Sequence, residues 1–302
     1  MKRVIDFMGM RHLALALSLI MVLASLGSLA IKGLNFGLDF TGGTLIELNY
    51  ERDADLNKIR SQLQEGGYPD AIVQSFGAVN DVLVRMPGDD PELGSQVAQV
   101  LRQDAGSQVT IKRVEFVGPA VGEELRDQGG LGMLLALAGI LVYLGFRYQW
   151  KFGIGAIVGL FHDVIITLGV FSYFQFTFDL TVLAAILAII GYSLNDTIVV
   201  FDRIRENFRF LRNTPLIDNI NISTTQTLLR TLATSISTLL AVGSLLMFGG
   251  DDLWGFAFAL FIGITAGTYS SVYIASIFLL MLKLTVEDLI PPVATEEVDE
   301  TP

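Results

Sequence analysis

The stretch Leu180-Thr-Val-Leu-Ala-Ala-Ile-Leu-Ala-Ile-Ile-Gly-Tyr-Ser-Leu-Asn-Asp-Thr-Ile-Val-Val-Phe201 is too apolar to be anything but a membrane span, yet it carries Asp196. Its length suits a hydrocarbon core of ~30 Å. A carboxylate at that depth costs roughly 2.5–3.5 kcal/mol even on the lenient insertion scale. It needs a partner, a proton or water, and all three point to movement of ions. This segment sets the class as helical membrane protein and the question as charge handling.

The 302 residues around it are 52% hydrophobic and 17% charged. Mean hydropathy is +0.55, well beyond an ordinary soluble domain. Further apolar stretches lie near 13–31, 131–148, 153–176, 224–249 and 254–282, so six spans are expected. With a cytoplasmic N-terminus, Lys2, Arg3, Arg11, Arg147, Lys151, Arg203, Arg205, Arg209, Arg212, Arg230 and Lys283 fall on the inner side. The short outer turns near Asp179 and Asp251-Asp252 hold no Lys or Arg, which places both termini in the cytoplasm. The first apolar run, about 19 residues, exceeds the roughly 7–15 of a signal-peptide core and reads as an uncleaved anchor, despite Ser28-Leu29-Ala30. The absence of cysteine removes disulfides and thiolate metal sites. The net charge of −11 argues against nucleic acid as a partner.

Four regions follow: 1–31, the N-terminus and first span; 32–130, an outer domain; 131–284, spans two to six with a basic inner loop near 202–222; and 285–302, an acidic tail expected to be disordered. Within 32–130, Thr44–Tyr50 alternates as a strand, and Leu56, Ile59 and Leu63 give Asp55–Glu65 helical spacing. Strands are expected at Ala71–Phe76 and Asp81–Met86 about a turn at 77–80, a helix over Pro91–Asp104, and a strand over Val109–Val117. That order is the ferredoxin-like split βαβ arrangement. In the inner loop, Phe201, Ile204, Phe208 and Leu211 recur at helical steps among arginines, which suggests a short amphipathic helix on the anionic lipid surface.

Few polar residues lie inside the spans. His162 and Asp163 sit mid-membrane in the third, but adjacent helical residues point about 100° apart, so a structural role is favoured over coupling chemistry. Asn195 and Asp196 sit in the fourth. In the fifth, Arg230 follows Ser223, Thr224, Thr225 and Thr227, with Thr234 and Ser235 beyond as further candidates for coupling. Counting from the inner edge at Arg203 and Ser223 puts Asp196 and Arg230 at one level on antiparallel helices. Burial favours the neutral acid and a nearby guanidinium favours the carboxylate, so such a pair can gain and lose a proton. The bland alternative is a permanent ion pair joining two helices. Gly155/Gly159 and Gly263/Gly267 have the spacing of close helix packing. No enzyme constellation is present: neither Asp163 nor Asp196 has the Gly-x-Gly-Asp context of an intramembrane protease, and no Lys-Ser/Thr follows Gly42-Gly43.

Four blocks carry a resemblance. Gly37-Leu38-Asp39-Phe40-Thr41-Gly42-Gly43-Thr44 opens the outer domain, and Val117-Gly118-Pro119-Ala120-Val121-Gly122-Glu123-Glu124-Leu125 closes it. Gly191–Thr197 with Phe201-Asp202-Arg203-Ile204-Arg205-Glu206 marks the fourth span, and Thr227-Leu228-Leu229-Arg230-Thr231 marks the fifth. In this order they resemble the SecF family, the small subunits of the bacterial SecD–SecF protein-export complex. The resemblance implies six transmembrane helices, half of an RND-type core, with one external ferredoxin-like domain. It implies SecD, the SecYEG translocon and the translocating preprotein as partners, with YajC and YidC as further candidates, in the bacterial inner membrane. It also implies protons as the coupling ion with no other cofactor, and Asp196 and Arg230, with Asn195 beside them, as the proton relay. Asp39, Gly42, Gly43, Gly118, Pro119, Gly122, Asp202 and Arg203 are then family signature positions. The rival readings are a stand-alone proton-coupled efflux protein for small molecules and a non-conducting assembly factor.

Overall fold

The computed structural model describes residues 4–76, 78–88, 90, 92–104, 109–211, 214–285 and 288. Expectations for Lys2, Arg3, Gly77, Pro91, Arg212 and all of the tail beyond Thr285 except Asp288 lie outside the described residues. A short 3-10 turn, Met8–Met10, leads into α1 (Arg11–Lys32). Then come β1 (Asn35–Phe36), the single-turn α2 (Leu38–Thr41), β2 (Gly43–Tyr50), α3 (Leu56–Glu65), β3 (Ile72–Phe76), β4 (Ala78–Met86), α4 (Leu93–Asp104) and β5 (Val109–Val117). The rest is α5 (Pro119–Arg147), α6 (Trp150–Phe174), β6 (Thr177–Phe178), α7 (Leu180–Phe210), α8 (Leu216–Phe248), α9 (Asp251–Val272) and α10 (Ile274–Met281). Among the described residues six stretches are long and apolar enough to span a membrane, with α9 and α10 together forming the sixth.

The outer domain has the expected topology. Its sheet runs β3-β4-β2-β5 with every pair antiparallel. Alternation in β2 sends Ile46 and Leu48 to one face, where they meet Val82 and Val84 of β4. Ile59 and Leu63 of α3 and Val97 and Leu101 of α4 close that face into one core. Asp55 stands outside its helix as a cap, accepting from the backbone N–H groups of Asn57 and Lys58.

Several boundaries differ from expectation, each for a local reason. The turn placed at 77–80 is tighter, because β4 starts at Ala78 and the hairpin reverses beside Phe76. The second span begins at Pro119, whose missing N–H suits a first helical position, so the boundary set at 130/131 falls inside α5. The basic loop after the fourth span is not a separate surface helix. α7 runs unbroken to Phe210, and Phe201, Ile204 and Phe208 are buried against Phe152 and Ile220. The apolar stripe assigned to lipid thus continues the helix's inward face. The sixth span bends at Tyr273 (φ −104°, ψ −62°), although hydrogen bonds from Tyr273 N to Tyr269 O and Ile277 N to Tyr273 O carry the ladder across.

A two-residue parallel pair links the layers. Asn35 and Phe36 of β1 pair with Thr177 and Phe178 of β6, tying the start of the outer domain to the α6–α7 turn. Phe36, Phe40 and Phe178 cluster there, with ring centroids about 6 Å apart.

Candidate functional site in the membrane bundle

Asp196 lies on α7 and is 3% exposed. Its Oδ2 accepts from Ser235 of α8 at a long 3.5 Å, and Ser235 also shares a 2.8 Å bond with Thr268 of α9. Arg230 is exposed and near enough to act on Asp196 electrostatically, but no ion pair or hydrogen bond joins the two among the described residues. The two helices are antiparallel as expected, but their register differs by about one turn. Asn207 donates to Ser223 at 2.8 Å and Arg203 to Gln226 at 2.5 Å, which sets Asp196 level with Ser235. Arg230, five residues earlier on α8, lies about 7.5 Å nearer the inner end at ~1.5 Å per residue. The sequence count set Ser223 level with Arg203, whereas Ser223 meets Asn207, one turn further along α7. Asn195 is exposed beside this site, and Thr234 turns its hydroxyl back to Arg230 O and Thr231 O.

A second buried carboxylate has far more partners. Asp163 on α6 is 0% exposed. Ser193 of α7 and Ser270 of α9 donate to its Oδ2 at 2.5 and 2.7 Å, and His162 Nδ1 lies 2.8 Å from its Oδ1. Contrary to the spacing argument, these neighbours do form one site, because the carboxylate and ring fold back toward each other. Gly267 makes room: a Cβ there would lie 3.3 Å from Asp163 Oδ2 and 3.1 Å from Ser193 Cβ. Sequence reasoning did not link Ser18, Ser193, Ser270 and Tyr269 to this pair, since residues spread over α1, α7 and α9 show no common spacing.

The signature positions are mostly structural joints. Asp39 Oδ2 accepts from the backbone N–H of Leu180, capping α7 from α2. Gly42 and Gly43 have φ of +65° and +110°, and a Cβ on Gly43 would lie 2.3 Å from Met86 O. Gly118 stands outside α5 with Pro119 at its first position, and a Cβ on Gly122 would meet Gly42 N at 2.8 Å. The two blocks that open and close the outer domain therefore pack backbone to backbone. Asp202 accepts from Arg147 at 2.7 Å and from Tyr148 at 2.9 Å, and Arg203 also reaches Glu206 at 2.5 Å.

Between the outer sheet and the membrane rim lies a cleft of ~760 Å³, lined by Arg85, Arg113, Glu115, Asp179, Asp252 and Trp254 among others. Arg113 of β5 bridges Glu115 and Asp252, the latter at the start of α9. Burial draws its proton affinity down, but the two carboxylates outweigh that and raise it. In the sheet, burial would raise the pKa of Asp81, but the Asn49 hydrogen bond and Lys112 at 3.0 Å hold it below the usual carboxylate range. Burial pushes the Tyr50 hydroxyl up to about 12.

Comparison with known proteins matches this arrangement. The family model described as protein export membrane protein SecD/SecF, C-terminal, covers residues 96–285, and the SecD/SecF GG motif covers 27–54. The protein translocase subunit SecF of Pseudomonas aeruginosa is 67% identical, over 99% of this chain and 98% of its own. That of Escherichia coli O157:H7 is 42% identical, over 100% and 95%. The crystal structure of SecDF, a translocon-associated membrane protein from Thermus thermophilus, superposes with a TM-score of 0.86 at 38% identity over 93% of this chain. The chain spans 39% of the length of that structure. A super-membrane-facing form of SecDF matches less closely, with a TM-score of 0.69.

Proposed function

The chain belongs to the SecD/SecF family of protein-export membrane proteins, and from that premise we propose that it works with SecD to drive export with the proton-motive force. Its role is auxiliary to the Sec translocase. The bias of Lys and Arg supports a reading with both termini in the cytoplasm and residues 32–130 outside, and the SecF relatives support a bacterial inner membrane. The partners are SecD and the SecYEG channel with its emerging preprotein, and YajC and YidC join the same assembly. SecD covers the exposed apolar faces of α5 and α8, among them Leu134, Leu135, Leu229 and Leu240.

The observation that carries the reading is the loose state of Asp196. A buried carboxylate with one long hydrogen bond, and a guanidinium nearby that makes no ion pair with it among the described residues, is poised, since neither charge state is locked. Protonation releases Asp196 from the field of Arg230, the helices repack, and the outer domain moves. A proton can bias these two states only by its differential affinity for them. One proton crossing ~150–200 mV supplies about 3.5–4.6 kcal/mol, at ~2.3 per 100 mV. That biases a domain movement but does not unfold a stable substrate in one stroke, so cycles repeat.

The test is Asp196→Asn, which keeps size and removes titration. In membrane vesicles with the full translocase, proton-dependent preprotein export is expected to fall at least tenfold while complex assembly persists. Export unchanged by this substitution refutes the relay.

A further inference from the structure

We propose that His162 and Asp163 form a second proton-binding site, separate from Asp196, which loads and unloads through Ser18 and Tyr269 toward the Arg11 end of α1. The proposal rests on the proton-driven reading above for its purpose, though not for its geometry. His162 Nε2 lies 3.0 Å from Ser18 Oγ on α1, Ser18 lies 3.5 Å from the Tyr269 hydroxyl on α9, and Tyr269 donates to Ala14 O at 2.7 Å. His162 and Tyr269 also stack, with centroids 6.2 Å apart. Every member except Tyr269 is at most 6% exposed, so the wire is dry until it reaches the half-buried tyrosine, one turn from the end of α1.

One set of hydrogens satisfies every group with Asp163 neutral. Asp163 O–H donates to His162 Nδ1, His162 Nε2–H to Ser18, Ser18 to Tyr269, and Tyr269 to the Ala14 carbonyl, while Ser193 and Ser270 donate to the other carboxyl oxygen. Release moves one proton per link. Asp163 gives its proton to Nδ1, Nε2–H passes to Ser18, the Ser18 proton passes to Tyr269, and the Tyr269 proton leaves Ala14 O for water. The net change is one carboxylate formed and one proton delivered. The 3.5 Å step from Ser18 to Tyr269 is at the limit of a hydrogen bond and is the gate in this wire.

The surroundings suit a titrating site better than a fixed ion pair. Among the described residues no hydrogen bond or ion pair joins His162 or Asp163 to a Lys or Arg. From the packed elements, α1 presents Ser18, α7 presents Ser193 with Asp196 one turn on, and α9 presents Ser270 and Tyr269, with Tyr273 5.3 Å beyond the Tyr269 ring. The site also communicates with Asp196. Ser271 of α9 donates to Ser193 O at 3.5 Å and shares a 3.0 Å bond with Thr197, next to Asp196. Asp196 on α7 is thus reached from the α8 side, and Asp163 on α6 from the α1 side.

The test is infrared pH-jump spectroscopy on the purified full-length complex with its partner subunit. A buried carboxyl band is expected to titrate in the unmodified protein, to persist in Asp196→Asn and to vanish in Asp163→Asn. Ser18→Ala and Tyr269→Phe, mild changes that keep helix and ring stack, should each slow its rise at least tenfold without altering the Asp196 band. The absence of a band specific to Asp163, or an unchanged rate in both mild variants, overturns the wire. Should Asp163→Asn not assemble, the two mild variants decide alone. Loss of proton-dependent export in Asp196→Asn is read separately, so the wire can fail while the export reading stands, or the reverse.

Discussion

Gly43 combines a φ of +110° with a carbonyl 2.3 Å from where a Cβ would sit. Any side chain there must both adopt a strained backbone and push Met86 out of its pairing with Thr44 at the end of the β2–β4 ladder. Gly43→Ala is therefore expected to destabilise the outer domain by about 2–3 kcal/mol. Fluorescence of Trp254, which lines the cleft beneath that sheet, reports the lowered unfolding temperature. Gly122→Ala, aimed at Gly42 N, should have a smaller effect of the same sign, because α5 can tilt. Asp196 itself was legible from sequence, since a lone carboxylate in an apolar run announces itself. The crowd of hydroxyls around Asp163 was not, because Ser18, Ser193 and Ser270 are unremarkable within their own helices and acquire meaning only where the helices cross.

The main strands and helices of the outer domain followed from period, whereas β1 and α2 did not. Val109–Val117 is a strand at the bounds read from sequence, and Asp55 marks the start of α3 as capping chemistry requires. Register between α7 and α8 was not legible, because hydropathy marks where a helix crosses a membrane and not where it begins. Ser223 lies level with Asn207 of α7, one turn past Arg203, and that offset moved Arg230 about a turn from the level expected. In the sheet, Lys112 of β5 reaches across β2 to Asp81 of β4, which also accepts from Asn49, and this gives a pH signature. Because the folded pKa of Asp81 lies below its unfolded value, this contribution is complete above the ordinary aspartate range near ~3.9. It is lost as pH falls through the depressed folded value. Asp81→Asn should flatten the acid limb of a stability-versus-pH curve, and leave neutral-pH stability lower.

At the scale of the molecule, the outer domain rests on the rim through the Arg113–Asp252 bridge and through Arg85, which donates to Phe36 O at 2.6 Å. The Arg113–Asp252 pair is largely exposed, so its worth is at most about 1 kcal/mol and is screened by salt. Arg113→Ala is expected to leave the fold intact but to raise protease access to the 117–119 joint, an effect that rising ionic strength reproduces in the unmodified chain. The helices themselves make few contacts on two sides: α1 and α5 expose long apolar rows, as half of a larger assembly would.

The small parallel pair of β1 with β6 then acquires a mechanical meaning. It fastens the stalk of the outer domain to the hairpin from which α6 descends on one side and α7 on the other. Those two rods carry Asp163 and Asp196 roughly midway down. On the proton-driven reading proposed above, a hinge clamped to both rods at once would let a tilt of either, begun by a single proton, become a sweep at the far tip, much as an oar turns a short pull at the handle into a long stroke at the blade.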